Sequence, residues 1–329
     1  MVIVTWNRRS FLHACLTSLS RQTGAEFEII VVDNGSQDGS AEMAETEFGG
    51  RVIRNASNRG FCAANNQGIA IARGEFVALL NNDAEAEPGW LAALHRACTR
   101  SPEVGMAASK VLVWEDPKSI DKVGHLIYPD GQNKGRGSGA VDAGQFDREE
   151  EVLWPDGCAA MYRKAMLDRI GGFDEDLFAY GDDAELGLRA RIAGWKCIYT
   201  PEAVVRHHRG STLGKGSAWR LELIERNRLL LAWKLFPWSL LWLNPFYFAA
   251  RVVAGFGAAQ RGEGDTVHFP GLSGKWTMAK ALIKGDWAAL KMLPVTLRKR
   301  TAIRRLRRLS PRDVRRLILD NRLSLKETT

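Results

Sequence analysis

Short apolar runs and amphipathic stretches alternate along the first third of the chain. The amphipathic stretches predict helices, of which the first is capped by Ser10, the second starts at Ala41 and the third spans Cys62 to Ala72. Strands that alternate with helices are typical of an α/β fold with a mostly parallel sheet. The apolar runs predict four strands, at Val2 to Thr5, Phe27 to Val32, Val52-Ile53 and Phe76 to Leu80.

The pattern continues less regularly over the next 130 residues. Residues 114–151 are rich in Gly, Asp and Lys with little periodicity, which predicts a long loop or a small excursion that is potentially mobile. The predicted elements around this segment are a helix from Trp90 to about Thr99, a strand from Val104 to Val113, helices at Lys164 to Ile170 and Ala184 to Ala193, each stopped by glycine, and short strands at Lys196 to Tyr199 and Ala203 to Val205.

Beyond Ser217 the chain becomes dense in Leu, Trp, Phe and Ala. Lys234, Pro237 and Arg251 interrupt this segment. A membrane-spanning helix needs about 20 consecutive apolar residues, and the segment does not provide them. Two interpretations stay open: elements that lie in a membrane interface, or a helical subdomain packed on the body or on a second copy. We predict two domains, at residues 1–215 and 216–329.

Composition indicates a folded protein of a reducing compartment. The chain has 329 residues, of which 45% are hydrophobic, enough for a packed core. Its five cysteines are odd in number and contain no Cys-x-x-Cys pair, which argues against a disulfide framework and a zinc site. No secretory leader precedes the first strand, so we expect a cytoplasmic protein, and the sequence leaves open whether the native start lies upstream of Met1.

The net charge of +8 is distributed unevenly. From Arg226 onward the chain carries 21 Lys/Arg and 6 Asp/Glu, a balance of +15, whereas the rest carries −7. Basic clusters at residues 298–300 and 304–308 dominate this tail. Such a tail suits nucleic acid or an anionic membrane surface, and composition alone does not choose between them.

Polar side chains follow several of the predicted strands. Asp83 ends the fourth strand and Asp33 the second, while Asn58 and Gly60 belong to a polar loop after the third. Ligands of open α/β sheets bind at such strand ends, and a carboxylate there suits Mg²⁺ or Mn²⁺ bridging a diphosphate. Each motif taken alone is also typical of turn chemistry.

Further titratable residues lie later in the chain. Asp182 and Asp183 precede a helix, where acidic residues are common because they suit the helix dipole, but one of two such carboxylates is also a candidate general base. His207 leaves the last strand of the body and is a candidate metal ligand, and Arg209 and Lys215 follow it. No phosphate-binding loop of the Gly-x-x-x-x-Gly-Lys type is present, which argues against ATP hydrolysis.

These motifs, in this order, resemble the family-two glycosyltransferases of the rhamnosyltransferase-like group. The resemblance covers residues 1 to about 212, and it implies a GT-A fold, Rossmann-like, with a helical, basic C-terminal extension. It also implies transfer of a sugar from a nucleoside-diphosphate donor with inversion at the anomeric carbon. The motifs are Val2 to Asn7, Val31 to Ser36, Asn58 to Phe61, Leu80 to Asp83, Gly171 to Asp174, Asp182-Asp183, Leu188 to Ala190 and Ala193 to Trp195.

The resemblance implies roles for single residues. Asp183 matches the catalytic base, Asp83 matches the carboxylate that binds Mg²⁺ or Mn²⁺, and His207 falls where a metal or diphosphate contact is found. Three positions depart from the usual pattern: Asn81 and Glu185 replace Asp, and Asp182 replaces Glu. The donor side would comprise Thr5, Asn7, Asp33, Asn58, Gly60, Asn82 and Arg209, and the acceptor side Trp154, Asp156, Gly157 and Asp182.

From this resemblance we expect an inverting, metal-dependent glycosyltransferase of cell-surface polysaccharide synthesis, with dTDP-rhamnose as the leading donor. The expected partners are a glycan or lipid-linked acceptor and an anionic membrane surface at the inner face of the cell membrane, not nucleic acid, and a homo-oligomer is left open. Two alternatives remain: a nucleotidyltransferase, for which the Gly-rich loop after the first strand is missing, and a nucleotide-sugar-binding or membrane-binding module without transferase activity.

Overall fold

The computed structural model describes residues 1–208, 217–260, 269 and 271–328, which form a mixed α/β structure. The strands are β1 Val2–Thr5, β2 Ile30–Asp33, β3 Arg51–Arg54, β4 Phe76–Leu80, β5 Ala84–Ala86, β6 Val104–Val113, β7 Ile120–Lys122, β8 His125–Ile127, β9 Asn133–Gly135, β10 Glu150–Val152, β11 Ala159–Arg163 and β12 Lys196–His207. The helices are α1 Arg9–Ser20, α2 Ser40–Phe48, α3 Gly60–Ile71, α4 Trp90–Thr99, α5 Lys164–Ile170, α6 Asp182–Ile192, α7 Ala218–Leu235, α8 Trp238–Leu241, α9 Asn244–Gln260, α10 Gly271–Lys291, α11 Leu293–Leu306 and α12 Pro311–Asp320.

One large sheet organises the first two-thirds of the chain. Its strands follow the order β10-β12-β6-β11-β4-β1-β2-β3, and β5 and β7 pair with β12 and β6. The strands β3, β2, β1, β4, β6 and β12 run in one direction, whereas β11 lies antiparallel between β4 and β6. The predicted mostly parallel sheet is therefore confirmed, and the carboxyl ends of six strands meet at one edge.

The helices cover this sheet with apolar faces. Leu12, Leu16 and Leu19 of α1 and Leu94 of α4 are completely buried in the core. Trp90 at the start of α4 is buried as well, and its indole N–H donates to the Ser109 hydroxyl at 2.8 Å, so its polar atom is satisfied. This core fixes the strands whose ends carry the polar residues.

Several predicted boundaries need correction. The helix α1 begins at Arg9 and Ser10 lies inside it, so the predicted Ser10 cap is wrong. The second strand starts at Ile30 rather than Phe27. The two short strands predicted after Lys196 form one strand, β12, which is interrupted by a β-bulge between Thr200 and Val204. The bulge interrupts the alternation of side chains and thereby divides the sequence pattern.

The segment 114–151 is not the loop that was expected. It contains the three-residue strands β7 to β10, of which β7 pairs with β6 and β10 with β12. Lys110 of β6 also bonds to Asp142 and Asp147 at 3.0 and 2.6 Å. Strands of three residues are too short to produce a readable alternation, which is why the sequence pattern missed them.

Two compact units make up the chain. The first consists of Met1–His125 and Gly135–Arg209, and the second of Leu126–Lys134 and Gly210–Thr329. The division into domains at residues 215 and 216 stays a prediction, and it did not assign Leu126–Lys134 to the second unit. Among the described helices, none has the length and apolar character required to cross a membrane.

The second unit is built around the helix α7, against which α10 and α11 pack. Its interior holds charged groups: Arg251 bonds to Asp130 at 2.6 Å and to Glu225 at 3.1 Å, and Arg228 donates to the Asp130 carbonyl at 2.8 Å. Each of these buried charges has an opposite partner, as buried ions require.

Candidate active site at the carboxyl ends of the parallel strands

The ends of β1, β2 and β4 bring three predicted donor-side residues to one edge of the sheet. Thr5 and Asp33 are register partners at the last position of β1 and β2, and both are buried. The Asn82 amide donates to the Thr5 hydroxyl at 3.0 Å, so the loop after β4 is fastened to β1. The Asp33 carboxylate accepts a bond from the Ser36 N–H at 3.1 Å, which is the turn chemistry that the sequence left as an alternative.

Asn7 holds two loops together beside this edge. It adopts a positive φ of 50°, a backbone conformation that Asn tolerates better than most residues. Its N–H donates to the Ser36 hydroxyl at 2.9 Å, and its side-chain oxygen accepts from the Gln37 N–H at 2.8 Å. The loops after β1 and β2 therefore form one structure.

The loop before α3 is tied to the same edge through Asn34, a residue that the sequence did not single out. The buried Asn34 amide donates to the Asn58 side chain at 3.3 Å and to the Gly60 carbonyl at 3.2 Å. Asn58 also accepts from the Gly60 N–H at 2.9 Å. Since Asn34 follows directly after Asp33, its position at a strand end was the available signal.

Gly60 has a structural reason to be glycine. Its φ is +83°, and a Cβ there would lie 2.5 Å from the ring of Phe178. The sequence predicted that Gly60 belongs to a polar loop on the donor side. The close approach that the structure shows is that of the Phe178 ring.

Asp83 and His207 come together after β4 and at the end of β12. The His207 Nε2 lies 3.5 Å from the Asp83 Oδ1, and both residues are buried. On the other side of the ring, the His207 Nδ1 bonds to Asp121 of β7 at 2.8 Å. The imidazole is therefore oriented with Nε2 toward Asp83, because Asp121 fixes its other nitrogen.

The electrostatic surroundings of His207 favour a positive charge. Burial lowers the pKa of this imidazole, but the Cys158 sulfur, Asp121 and Asp83 raise it, and the net result is a pKa well above its usual value. A site that stabilises an imidazolium between two carboxylates also suits a cation, which would replace the proton.

The donor atoms at this place fit a divalent cation. Mg²⁺ and Mn²⁺ bind oxygen ligands at about 2.1 Å and complete their shell from phosphate oxygens. An imidazole nitrogen and a carboxylate oxygen 3.5 Å apart need only a small adjustment to bind one such ion. Asp83 and His207 are therefore the residues that would hold it, with Asp121 behind the imidazole.

A second cluster lies around Asp183 at the start of α6. The His125 Nε2 lies 3.3 Å from Asp183 and 2.8 Å from Asp156, and the Lys122 Nζ lies 2.6 Å from Asp156. The other Asp156 oxygen accepts from the Cys158 N–H at 2.8 Å. The four side chains thus form a connected chain in which His125 bridges Asp156 and Asp183.

The charges in this cluster shift the carboxyl groups in opposite directions. Although burial raises the pKa of Asp156, Lys122 and His125 lower it well below its usual value. Burial raises the pKa of Asp183, and Asp156 adds to this, while His125 and Lys122 oppose it, so that the net shift is upward. Asp156 is therefore a permanent anion, and Asp183 is the more basic carboxylate.

Asp182 differs from its neighbour. It is buried, and burial followed by the charge of Asp183 raises its pKa well above the usual value. Asp183 retains some solvent access, with 12% of its side chain exposed. Of the two residues, Asp183 therefore has the accessible carboxylate that a general base needs.

The cluster around Asp183 is also close enough to hold a cation. Ligand atoms of His125, Asp156 and Asp183 lie within 4.8 Å of one another. However, the Lys122 ammonium already lies against Asp156 and would repel a second positive charge. Of the two places, Asp83 and His207 therefore fit a cation better.

Two predicted acceptor-side residues, Trp154 and Gly157, contact members of this region. Trp154 is completely buried and stacks on His125, with ring centroids 6.1 Å apart, so we correct its role from an acceptor contact to a support of the His125 ring. Gly157 lies beside Asp182, whose Oδ2 would be 3.6 Å from a Cβ at this position. Arg209 and Lys215 lie outside the described residues.

Three residues of this site were missed in the sequence. Asp121, Lys122 and His125 all belong to the segment 114–151, which was interpreted as a loop. No periodic signal could have found them, because the titratable residues in the run from Ile120 to Leu126 do not alternate with apolar ones. Asp121 and Lys122 are consecutive, so the strand β7 supplies one residue to each of the two clusters.

Comparison with known proteins decides between the remaining interpretations. Residues 1–171 match glycosyl transferase family 2. The chain belongs to this family. Membership agrees with the resemblance that the strand-end motifs carry, and it makes the protein a glycosyltransferase rather than a nucleotidyltransferase or a binding module.

Relatives with assigned names include the N-acetylglucosaminyl-diphospho-decaprenol L-rhamnosyltransferase of Mycobacterium tuberculosis. It is 29% identical over 252 residues, which are 67% of this chain and 79% of the relative. Another relative is the O-antigen biosynthesis protein RfbC of Myxococcus xanthus, which is 27% identical over 63% of this chain and 17% of its own length.

Solved structures of glycosyltransferases share the fold. TarS residues 1–349 of S. aureus match with a TM-score of 0.54 and 17% identity, covering 99% of this chain and 89% of the other. A mannosyltransferase of Pyrobaculum calidifontis, solved with GDP-Man and Mn²⁺, matches with a TM-score of 0.52 and 19% identity. The match covers 88% of this chain and 86% of the other. The predicted GT-A fold of this family 2 glycosyltransferase is thereby confirmed.

Proposed function

We propose that this family 2 enzyme transfers rhamnose from dTDP-rhamnose, with inversion, to a lipid-linked glycan in cell-surface polysaccharide synthesis. The sugar and the lipid-linked acceptor are supported by the relative from Mycobacterium tuberculosis, whose name states both an L-rhamnosyl transfer and a decaprenol-linked acceptor. The observation that carries the reaction is the position of Asp183 at the end of the charged chain through His125, Asp156 and Lys122.

The donor binds along the ends of β1, β2 and β4. In this proposal Asp33 accepts a bond from the nucleobase or the ribose, and the polar groups around it form the rest of this surface. Asp83 and His207 would hold a divalent cation. When bound, Mg²⁺ or Mn²⁺ supplies positive charge that stabilises the departing nucleoside diphosphate. The donor surface comprises Thr5, Asn7, Asp33, Asn58, Gly60, Asn82 and Arg209.

The acceptor is activated by Asp183. Its carboxylate accepts the proton of an acceptor hydroxyl, whose oxygen forms a bond to the anomeric carbon on the face opposite the diphosphate. The bond from the anomeric carbon to the diphosphate oxygen breaks, and the configuration inverts. His125 orients the Asp183 carboxylate, Asp156 fixes His125, and Lys122 keeps Asp156 ionised. Asp182 and Gly157 lie at the acceptor side.

The enzyme acts in the cytoplasm, as a peripheral protein at the inner face of the cell membrane. A lipid-linked acceptor requires the active site to work close to a bilayer. The C-terminal balance of +15 from Arg226 onward supports attachment to an anionic surface.

A donor screen tests this function. The purified full chain is incubated with dTDP-rhamnose, UDP-, GDP- and other dTDP-sugars, together with polyprenyl-diphosphate-linked N-acetylglucosamine and Mg²⁺ or Mn²⁺, and the released nucleoside diphosphate is measured. We expect release from dTDP-rhamnose that stops when the cation is chelated. Release from a different donor alone would replace rhamnose, and no release from any donor would overturn the proposal.

A further inference from the structure

The helix α10 has its small residues on the inside. Ala281, Gly285 and Ala289 recur every four residues and are buried, on the face that packs against α7. At Gly285 a Cβ would lie 2.7 Å from the backbone oxygen of Glu222, so the two helices meet too closely for any side chain. This face is closed, and it leaves no room for large apolar residues.

The large apolar residues of α10 lie on the outside instead. Residues at spacings of three, four and seven share one face of a helix. Their positions at 276, 283, 287 and 290 follow these spacings, so α10 presents a continuous apolar stripe, which we call the tryptophan face. Its members, with their exposed fractions, are Trp276 66%, Ile283 68%, Trp287 60% and Leu290 49%.

Positive charges flank the tryptophan face. Lys280, Lys284 and Lys291 are exposed, and the Lys291 Nζ lies 5.8 Å from the centre of the Trp287 ring. Asp286 is the one acidic residue in the sequence of α10, and its carboxylate lies 3.8 Å from Arg228 of α7. The surface around the stripe therefore carries only positive charge from this helix.

We propose that the tryptophan face docks into the headgroup region of an anionic phospholipid bilayer, with α10 lying in the plane of the membrane. Tryptophan is enriched at the membrane interface, and lysines beside an apolar stripe pair with anionic lipid headgroups. An orientation of α10 across the membrane is unfavourable in free energy, because the charged Lys280 and Lys284 would enter the hydrocarbon region.

A second copy of the chain fits this surface less well. In a two-fold symmetric interface the same helix faces itself, so the lysines of one copy would meet those of the other. The inference rests on the proposed function for its lipid-linked acceptor, and it adds which surface brings the enzyme to that lipid.

Vesicle sedimentation of the full chain tests the proposal without donor or acceptor. The vesicles consist of phosphatidylcholine alone, or of phosphatidylcholine and phosphatidylglycerol in equal parts. We expect the wild type to bind only to the anionic vesicles. The triple variant W276S/I283S/W287S should bind them at least about tenfold more weakly, since each buried apolar group contributes to partitioning. The triple variant K280Q/K284Q/K291Q should lose the preference for phosphatidylglycerol.

The matched control removes three exposed apolar side chains elsewhere, V141S/W219S/L325S, which are 63%, 45% and 39% exposed. This control should bind like the wild type, and circular dichroism should show that all variants are folded. Unchanged binding of W276S/I283S/W287S would overturn the docking surface. A change from dimer to monomer in light scattering, without vesicle binding by the wild type, would assign the face to a second copy instead. Either failure leaves the donor screen unaffected, because nucleoside diphosphate release is measured separately.

Discussion

The basicity of Asp183 is set by side chains that come from three other places in the chain. Burial and Asp156 raise its pKa, whereas His125 and Lys122 lower it. If the ionised carboxylate is the base, activity is lost as the pH falls through this raised pKa. The acid limb of the pH–rate profile should therefore lie above the usual Asp pKa of about 3.9.

The substitution His125→Ala tests this arrangement. Removing His125 takes away an influence that lowers the pKa of Asp183, so the acid limb should move to higher pH, and the rate at its plateau should fall as the carboxylate loses its orientation. The measurement is kcat as a function of pH with wild type and variant.

The matched control is His95→Ala, an exposed histidine on α4. It should leave both the limb and the plateau unchanged. An acid limb that stays in place in His125→Ala, or moves to lower pH, would contradict the role of His125.

Asp121 provides a second test at the scale of one residue. Its carboxylate holds the His207 ring at 2.8 Å from behind, and loss of such a partner weakens metal binding by about 10–100-fold. Asp121→Asn should therefore reduce the affinity for Mn²⁺ by this amount, as measured by calorimetry in the presence of dTDP.

Asp168→Asn is the control, because this residue is exposed on α5 and bonds only to Lys164 in the described contacts. Its Mn²⁺ affinity should equal that of the wild type. If Asp121→Asn also binds Mn²⁺ normally, the cation is not held at His207.

At the scale of elements, much of the first unit could be predicted from the sequence. The bounds of β1, β4, β6 and α5 agree with the predictions, because long apolar runs and glycine stops mark them clearly. The strand β7 could not be predicted, since a strand of three residues gives no readable period. This one omission removed Asp121 and Lys122 from the predicted site.

The packing of α6 under the site gives a prediction about stability. A Cβ at Gly187 would lie 2.1 Å from the Cβ of Trp154, the residue that supports His125. Gly187→Ala should therefore destabilise the first unit by about 1–3 kcal/mol despite the better helix propensity of Ala. Thermal unfolding measures this effect.

The same substitution at Gly255 in α9 is the matched control. No atom would lie within 4 Å of a Cβ there, so Gly255→Ala should be neutral or stabilise by up to about 1 kcal/mol. Equal effects of the two substitutions would mean that Trp154 and α6 are not packed as described.

Across the whole chain, the sequence singled out candidate site residues more readily than the groups that contact them. Asp83, His207, Asp182 and Asp183 were singled out because they stand at the ends of strands or the start of a helix, where the fold places ligands. The residues that tune them could not be found in this way, because their role depends on contacts between distant segments. The same holds for α10, because the exposure of its tryptophans depends on the close packing of its other face against α7.

In the proposed reaction Asp183 is the base of a glycosyl transfer for which Asp83 and His207 would hold the cation. The most direct test is Asp183→Asn, assayed for transfer and for donor binding with Mn²⁺, with Asp168→Asn as the control. We expect transfer to fall by about 10²–10⁴-fold while the donor affinity stays within a factor of about two. Full transfer activity in Asp183→Asn, with an unchanged pH profile, would contradict it.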